Sequence, residues 1–218
     1  MTGILPFVWL ILMIFTDQSM HDFSAILKHI EPHIQLSEED KALFLSHLKL
    51  KKVKRKQFVE QPGFVSKYRT YVVTGALRAY FIGNDSQEHT ISLAVDDWWI
   101  GDPGSFLFQE PATLFIEAIE DSTLIQWSYE SEALFLEKIP QFPLVMMQRW
   151  QHTAVMIQKR VISNLSLSAE ERYEEFASRY PAFIQRVPLY IIASYLGMTR
   201  EFLSKIRNQK INSKNTVH

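Results

Sequence analysis

The side chains best suited to recognising another molecule lie near the C-terminus, between positions 199 and 207. Arginine and lysine donate hydrogen bonds to guanine and to phosphate, and glutamate can accept one from the amino group of cytosine. Residues three or four positions apart on a helix share a face, so one helix can present them together. This group has the chemistry of contact with DNA bases, and its members are Thr199, Arg200, Glu201, Ser204, Lys205 and Arg207.

The stretch that contains them, VPLYIIASYLGMTREFLSKIR at residues 187–207, has the residue pattern of a helix-turn-helix. Two short helices that pack across a tight turn require particular residue types at fixed positions. Ala193 stands where only a small side chain allows close approach, and Gly197 stands where the turn needs a positive φ. Thr199 can cap the second helix. The positions expected to be buried are all apolar, namely Ile192, Leu196, Met198, Leu203 and Ile206.

The charges are unevenly distributed along the chain, although the formal net charge is only −1. Residues 1–148 carry 12 Lys and Arg against 19 Asp and Glu, a balance of −7, whereas residues 149–218 carry 11 against 5, a balance of +6. A basic end on an acidic body indicates a polyanionic partner at that end. A solvated basic tail is the simpler alternative if charge is considered alone.

Several kinds of chemistry are excluded by composition. The chain has no cysteine, which removes disulfides, thiolate metal sites and cysteine nucleophiles. Its seven histidines show no metal-ligand spacing, so we predict no metal and no cofactor. A β-barrel enzyme is the competing interpretation of the middle of the chain, but His89 is the single histidine there, too few for the usual metal site. We therefore expect a protein that is not an enzyme.

Hydrophobic periodicity predicts a β-rich middle between helical ends. Residues 20–50 show helical spacing, and the basic cluster at 49–56 is a charged strand edge or, alternatively, a phosphate-binding strip. From 58 to 127, short runs rich in β-branched and aromatic residues alternate with turn residues, which indicates an antiparallel barrel or sandwich. The predicted strands are 68–74, 77–82, 90–95, 98–100, 113–118 and 123–127.

A long helix is predicted after the β-rich segment. A short helix at 131–138 is stopped by Pro140 and Pro143, and the long helix runs from 144 to about 165. Its apolar residues alternate at spacings of three and four, which indicates contact with another helix. The contact could also be with its own β segment, but we favour the seam of a homodimer. The predicted seam residues are Met147, Trp150, Ala154, Ile157 and Val161.

In this order of elements the chain resembles the Crp/Fnr-type regulators, over about residues 20–210. Thr199-Arg200-Glu201 followed by Lys205 looks like the recognition-helix signature of that family, and the segments LSLSAEERYEEFASRYP and IASYLGMTREFLSKIR look like members common in Bacteroidetes. The resemblance implies an α+β fold: an antiparallel, cyclic-nucleotide-binding-like β-roll with flanking helices, a long dimerisation helix and a C-terminal winged-helix-like helix-turn-helix. It implies a homodimeric, cytoplasmic transcription regulator that binds a pseudo-palindromic DNA operator.

The ligand segment departs from the family's nucleotide-binding pattern, in which a Gly-Glu pair contacts the ribose and a downstream arginine neutralises the phosphate. Here Gly101-Asp102 stands at the pair, and no arginine or lysine occurs from 79 to 137. An unpaired buried phosphate is costly, unless Lys67, Arg69 or Arg78 supplies a charge from a neighbouring strand. We expect an unknown neutral or weakly polar effector, or none, rather than cyclic AMP. The predicted pocket residues are Gly101, Asp102, Ser105, Ala112 and Thr113.

The predicted division is an N-terminal extension at 1–19, a β-roll sensor domain at 20–142, a dimerisation helix at 143–165 and a DNA-binding domain at 166–218. The capping box Ser168-Ala169-Glu170-Glu171 opens a helix of the last domain, and Pro181 ends that helix. The apolar run at 4–15 is shorter than the roughly 20 residues that span a bilayer, so we expect no membrane association and take Met20 as the native start. A small-ligand sensor or scaffold module that does not bind DNA is the alternative function.

Overall fold

The computed structural model describes residues 23–31 and 34–215, with side chains as far as Gln209. The predicted extension at 1–19 lies outside these residues. Helices flank a β-rich middle, as the periodicity predicts. In chain order the elements are α1 Ser24–Ile30, α2 Glu38–Ser46, β1 Lys49–Val53, β2 Phe58–Glu60, β3 Tyr68–Thr74, β4 Leu77–Ile82, β5 Glu88–Ala94, β6 Trp98–Ile100, α3 Pro103–Phe108, β7 Phe115–Ala118, β8 Ser122–Ser128, α4 Tyr129–Lys138, α5 Phe142–Ser166, α6 Ala169–Arg179, α7 Pro181–Arg186, α8 Leu189–Tyr195 and α9 Arg200–Asn215.

The strands form two four-stranded antiparallel sheets, which together make the β-roll. One sheet has the order β1-β8-β3-β6 and the other the order β2-β7-β4-β5. The basic cluster contributes β1, which pairs with β8 at the end of its sheet, so the strand-edge interpretation is confirmed. Strand β5 lies at the end of the second sheet and pairs with β4.

Alternating side chains give the roll two apolar faces, because successive residues of a strand point to opposite sides of a sheet. Val72 and Leu124 belong to a cluster that includes residues of both sheets, such as Leu77 and Ile116. Tyr71 and Ile125, which adjoin Val72 and Leu124 in the strands, face the helices instead. They pack with α1, α2, α4 and the start of α5. The largest buried side chains of that helical cluster are Phe44, Tyr71, Trp127, Phe135 and Phe142.

Two details of the predicted helices are corrected by the structure. Pro143 does not end a helix: it lies in the first turn of α5, where its missing N–H would have no partner, so α5 begins at Phe142 and spans 25 residues. No described residue after Ser128 forms a strand, so helices alone make up the described C-terminal part, and the β-wing that the predicted winged-helix-like unit implies is not found there.

The C-terminal helices pack directly on the roll. Ala76, Leu93, Val95 and Ile119 of the roll are buried in the same apolar cluster as residues of α6 to α9. Helices α6 to α9 are therefore held against the β-roll by a common core.

Candidate nucleic-acid interface and ligand pocket

The turn between α8 and α9 has the geometry that its sequence predicts. Gly197 adopts a φ of +67°, and the Met198 N–H donates to the Ala193 carbonyl at 3.0 Å, closing the turn. Thr199 caps α9, because its Oγ1 accepts from the Phe202 N–H at 3.2 Å. The expected core is also present, with Met198 partly buried and the others buried, namely Ile192, Ala193, Leu196, Leu203 and Ile206.

The polar side chains of α9 up to Arg207 form no side-chain hydrogen bond or ion pair with other described residues. Arg200, Glu201, Lys205 and Arg207 are exposed, and Ser204 is half-buried. Among the residues that the structure describes, none of the four exposed side chains forms an ion pair, whereas most arginines of the roll do. Phe202, which the pattern does not single out, is 47% exposed on the same helix. The helix thus offers two arginines, a lysine and a carboxylate to a partner.

The outer surface of α5 is largely apolar. Its first turns are buried against the roll through Phe142, Val145 and Met146. The predicted seam residues Met147, Ile157 and Val161 are about half exposed, and Ala154 is exposed as well. The surface extends to four apolar residues outside the predicted seam, namely Leu144, Val155, Ile162 and Leu165.

Trp150 differs from the other predicted seam residues because its ring is engaged by its own chain. It lies 4.8 Å from the Arg149 guanidinium and 5.4 Å from that of Arg69. Arg149 also faces Trp99 at 4.7 Å, which places its side chain between two indole rings. Burial, with the nearby Arg69 charge, lowers the pKa of Arg149 to about 9. Trp150 therefore contacts the roll rather than lying open on the seam.

The residues of the predicted pocket converge around Asp102, which is itself buried. Asp102 caps α3: its Oδ1 accepts from the Ser105 N–H at 3.1 Å. Its Oδ2 accepts from the amides of Thr113 and Leu114 at 2.8 and 3.2 Å. The Asp102 N–H donates to Glu60 Oε2 at 3.0 Å. Burial raises the pKa of Glu60. The carboxylate and the backbone N–H of Asp102 thus both form hydrogen bonds within the protein.

Two of the three basic side chains that could reach the pocket from neighbouring strands, Arg69 and Arg78, are also occupied, whereas Lys67 lines a separate cavity beside β1 and β2. Arg69 is buried, donates to both carboxylate oxygens of Glu132 and stacks on Phe106. Arg78 is buried between Glu88 and Glu117. Each guanidinium already faces a carboxylate, so neither is free to neutralise a phosphate.

Two cavities open near the residues of the predicted pocket. The larger, of about 520 Å³, is lined by apolar side chains and one threonine: Pro62, Phe81, Ile82, Thr113, Leu114 and Phe115. We call it the apolar cleft. The smaller, of about 250 Å³, lies between β1, β2 and the segment at 61–68, with Lys51 and Lys67 among its lining residues. Thr113 links the predicted pocket to the apolar cleft.

Within 23–31 and 34–215, no group of three or more histidine or acidic side chains is arranged to hold a metal ion. No helix in that part of the chain is long and apolar enough to cross a membrane.

Neither a protein-family model nor a curated protein matches the chain. Solved structures do resemble it. The c-di-GMP-responsive global regulator CLP of Xanthomonas campestris aligns over 82% of this chain and 93% of its own, with 15% identity and a TM-score of 0.62. A CooA variant from Carboxydothermus hydrogenoformans aligns over 88% and 84%, with 17% identity and a TM-score of 0.62. FixK2 from Bradyrhizobium japonicum aligns over 77% and 86%, with 19% identity and a TM-score of 0.62.

The chain therefore has the α+β fold of the Crp/Fnr-type regulators, with antiparallel sheets and flanking helices. At these identities the likeness concerns the fold, and function has to be argued from the sites of this chain.

Proposed function

We propose that this protein is a DNA-binding transcriptional regulator of the Crp/Fnr type that acts as a cytoplasmic homodimer. The observation that carries the proposal is the free polar face of α9, presented by a helix-turn-helix whose turn, cap and core are complete. A helix of this kind enters the major groove with its first residues at the base edges. Arg200 and Glu201 lie in that first turn.

The apolar surface of α5 supports the dimer. Half-exposed Met147, Ile157 and Val161 form part of an apolar strip along a 25-residue helix. An extended apolar strip on a protein surface indicates contact with another protein. A second copy of α5 would cover it with the same residues, as two-fold symmetry requires. Such a dimer presents two recognition helices, which fits a pseudo-palindromic operator.

The sensor pocket supports an effector other than a cyclic nucleotide. The apolar cleft beside Thr113 carries no charged lining residue, and the nearby Arg69 and Arg78 are paired with carboxylates. A cyclic phosphate placed there would be desolvated without a counter-charge. A neutral or weakly polar molecule fits the cleft better.

The test is recovery of genomic DNA by the purified full chain, followed by footprinting of the enriched fragments. We expect protection of a pseudo-palindrome with half-sites about 10 base pairs apart and an affinity that falls steeply with salt. In the same experiment Arg200→Ala should weaken binding to the protected site. Arg55→Ala, which removes an arginine from the turn between β1 and β2, is its matched control. If no fragment is enriched, a sensor or scaffold module without DNA binding becomes the better assignment.

A further inference from the structure

One apolar side chain lies on the exposed side of the recognition helix. Of the three apolar residues of α9 whose side chains the structure describes, Leu203 and Ile206 are buried in the core of the helix-turn-helix, whereas Phe202 is 47% exposed. Its ring forms no stacking or cation–π contact with the described part of the chain. A single exposed phenylalanine is common on protein surfaces. Its place on this helix is what distinguishes Phe202.

Phe202 belongs to the first turn of α9. Its backbone N–H donates to Thr199 Oγ1 at 3.2 Å, so the cap that starts the helix also fixes the position of this residue. It is the third residue of a helix whose first two are Arg200 and Glu201. In a helix-turn-helix, the N-terminal residues of the second helix contact the base edges. Phe202 therefore enters the groove together with the two charged residues proposed to face the bases.

The position of Phe202 around the helix separates it from Arg200. Successive residues of an α-helix differ by about 100°, so Phe202 lies about 160° from Arg200 and about 100° from Glu201. Phe202 and Lys205 are three positions apart and are neighbours on the helix surface. The ring thus lies on the flank next to Lys205, and it points to a different part of the groove from the Arg200 side chain.

The major groove offers one apolar group to such a side chain. The base edges present hydrogen-bond donors and acceptors there, and thymine alone adds a C5 methyl group. A phenyl ring has neither donor nor acceptor, so against a polar base edge or a phosphate it would displace water without replacing the lost hydrogen bonds. Against the thymine methyl group it buries apolar surface of both molecules. Thymine is therefore the base that matches the chemistry of Phe202.

We propose that Phe202 is a specificity-determining residue that packs against the C5 methyl group of a thymine in each half-site of the operator. The proposal rests on the proposed function, because it names a base that this same DNA-binding surface selects. Arg200 and Glu201 have the chemistry to read guanine and cytosine. Phe202 adds a requirement for thymine at one further position, on the flank of the helix next to Lys205.

The experiment compares thymine with uracil, which lacks only the methyl group. The probe is a duplex that the wild-type full chain selects from fragmented genomic DNA, with each thymine of one half-site replaced in turn by uracil. Gel shifts at fixed salt measure the affinity of the wild type and of the variants for every duplex. For the wild type we expect one thymine at which loss of the methyl group weakens binding about fourfold, the factor that corresponds to one buried methylene-sized group.

Phe202→Ala should bind the thymine duplex more weakly than the wild type and should show no preference for thymine over uracil at that position. Phe202→Leu keeps an apolar side chain and should retain part of the preference. Phe108→Ala is the matched control, because Phe108 is 72% exposed on α3, outside the helix-turn-helix, and it should behave as the wild type. Thermal unfolding should give equal midpoints for Phe202→Ala and the wild type, since the ring is not part of the core.

The possible outcomes separate this proposal from the proposed function. If the wild type binds every uracil duplex as tightly as the thymine duplex, no methyl group is read, and the proposal is overturned while DNA binding stands. If Phe202→Ala keeps the wild-type preference for the methyl group, another residue reads it, and the proposal is overturned as well. If the wild type selects no DNA fragment, the proposed function itself fails, and the thymine contact fails with it.

Discussion

Asp102 and Thr113 are joined through one carboxylate oxygen: Asp102 Oδ2 accepts from the Thr113 amide at 2.8 Å and from its hydroxyl at 3.2 Å. The two segments predicted to line a ligand pocket are thereby fixed to each other. The resemblance stated above would place a ribose-contacting glutamate at this position, but in this chain Asp102 organises the loop around itself. Hydrogen bonds within the chain thus fix the shape of this segment.

Replacing Asp102 with asparagine tests that organising role. The amide group has one acceptor oxygen, so it cannot accept from Ser105 on one side and from Thr113 and Leu114 on the other. At least one buried backbone N–H would lose its partner, and we expect a loss of about 2 kcal/mol in the free energy of unfolding. Urea unfolding measures it, with Glu110→Gln as the exposed control. An equally stable Asp102→Asn variant would contradict the role.

The Arg69–Glu132 pair should be essential to the stability of the roll. Both side chains are buried, and Glu132 also accepts from the Trp127 indole N–H at 2.9 Å. Glu132→Gln leaves the Arg69 charge without its counter-ion, which costs about 3 kcal/mol in a buried site. The exposed pair Glu137–Lys138 on the same helix is the comparison, and Glu137→Gln should leave the stability nearly unchanged because solvent screens that pair. Equal midpoints in thermal unfolding would refute this difference.

Charge placed in the predicted seam should separate the dimer. Ala154→Glu brings two like charges into the apolar contact between the α5 helices, so we expect sedimentation velocity to show monomers and DNA affinity to fall. His152→Glu is the control, because position 152 is also exposed but lies about 200° around the helix from position 154. If Ala154→Glu stays dimeric and keeps its DNA affinity, the seam lies elsewhere.

Arg200 should contribute to sequence selectivity and not only to affinity. Arginine at the start of a recognition helix commonly donates to guanine, so Arg200→Ala should cost about 1–3 kcal/mol on the selected duplex and much less on a scrambled one. Competition gel shifts at fixed salt measure both. Equal losses on the two duplexes would assign Arg200 to a phosphate instead.

Cyclic nucleotides should not bind the roll tightly. The apolar cleft has no charged lining residue, and Arg69 and Arg78 are paired with carboxylates. Titration calorimetry with cyclic AMP and cyclic GMP should show no saturable binding tighter than about 10 μM, which corresponds to roughly −7 kcal/mol. Tighter binding of either nucleotide would mean that Lys51 or Lys67 enters the site, and the neutral-effector hypothesis would be wrong.

Local sequence determined the elements whose geometry depends on neighbouring residues. Gly197 fixes the turn through its positive φ, Thr199 caps α9, and Ser168 with Glu171 forms the predicted capping box. The alternation of Val72 with Tyr71 likewise separates the interior of the roll from its helix-facing side. These features depend on contacts within a few residues or on a simple period, which is why they can be predicted without a structure.

Tertiary structure decided which polar side chains remain available. Arg69 and Glu132 are 63 residues apart, and Ser194 meets Glu88 across 106 residues. No local pattern distinguishes a serine that binds a distant strand edge from one that faces solvent, nor an arginine that is paired from one that can bind a ligand. Such pairings depend on how the sheets close and how the helices dock on them, because hydrogen bonds and ion pairs form only between groups that folding brings within about 3 Å.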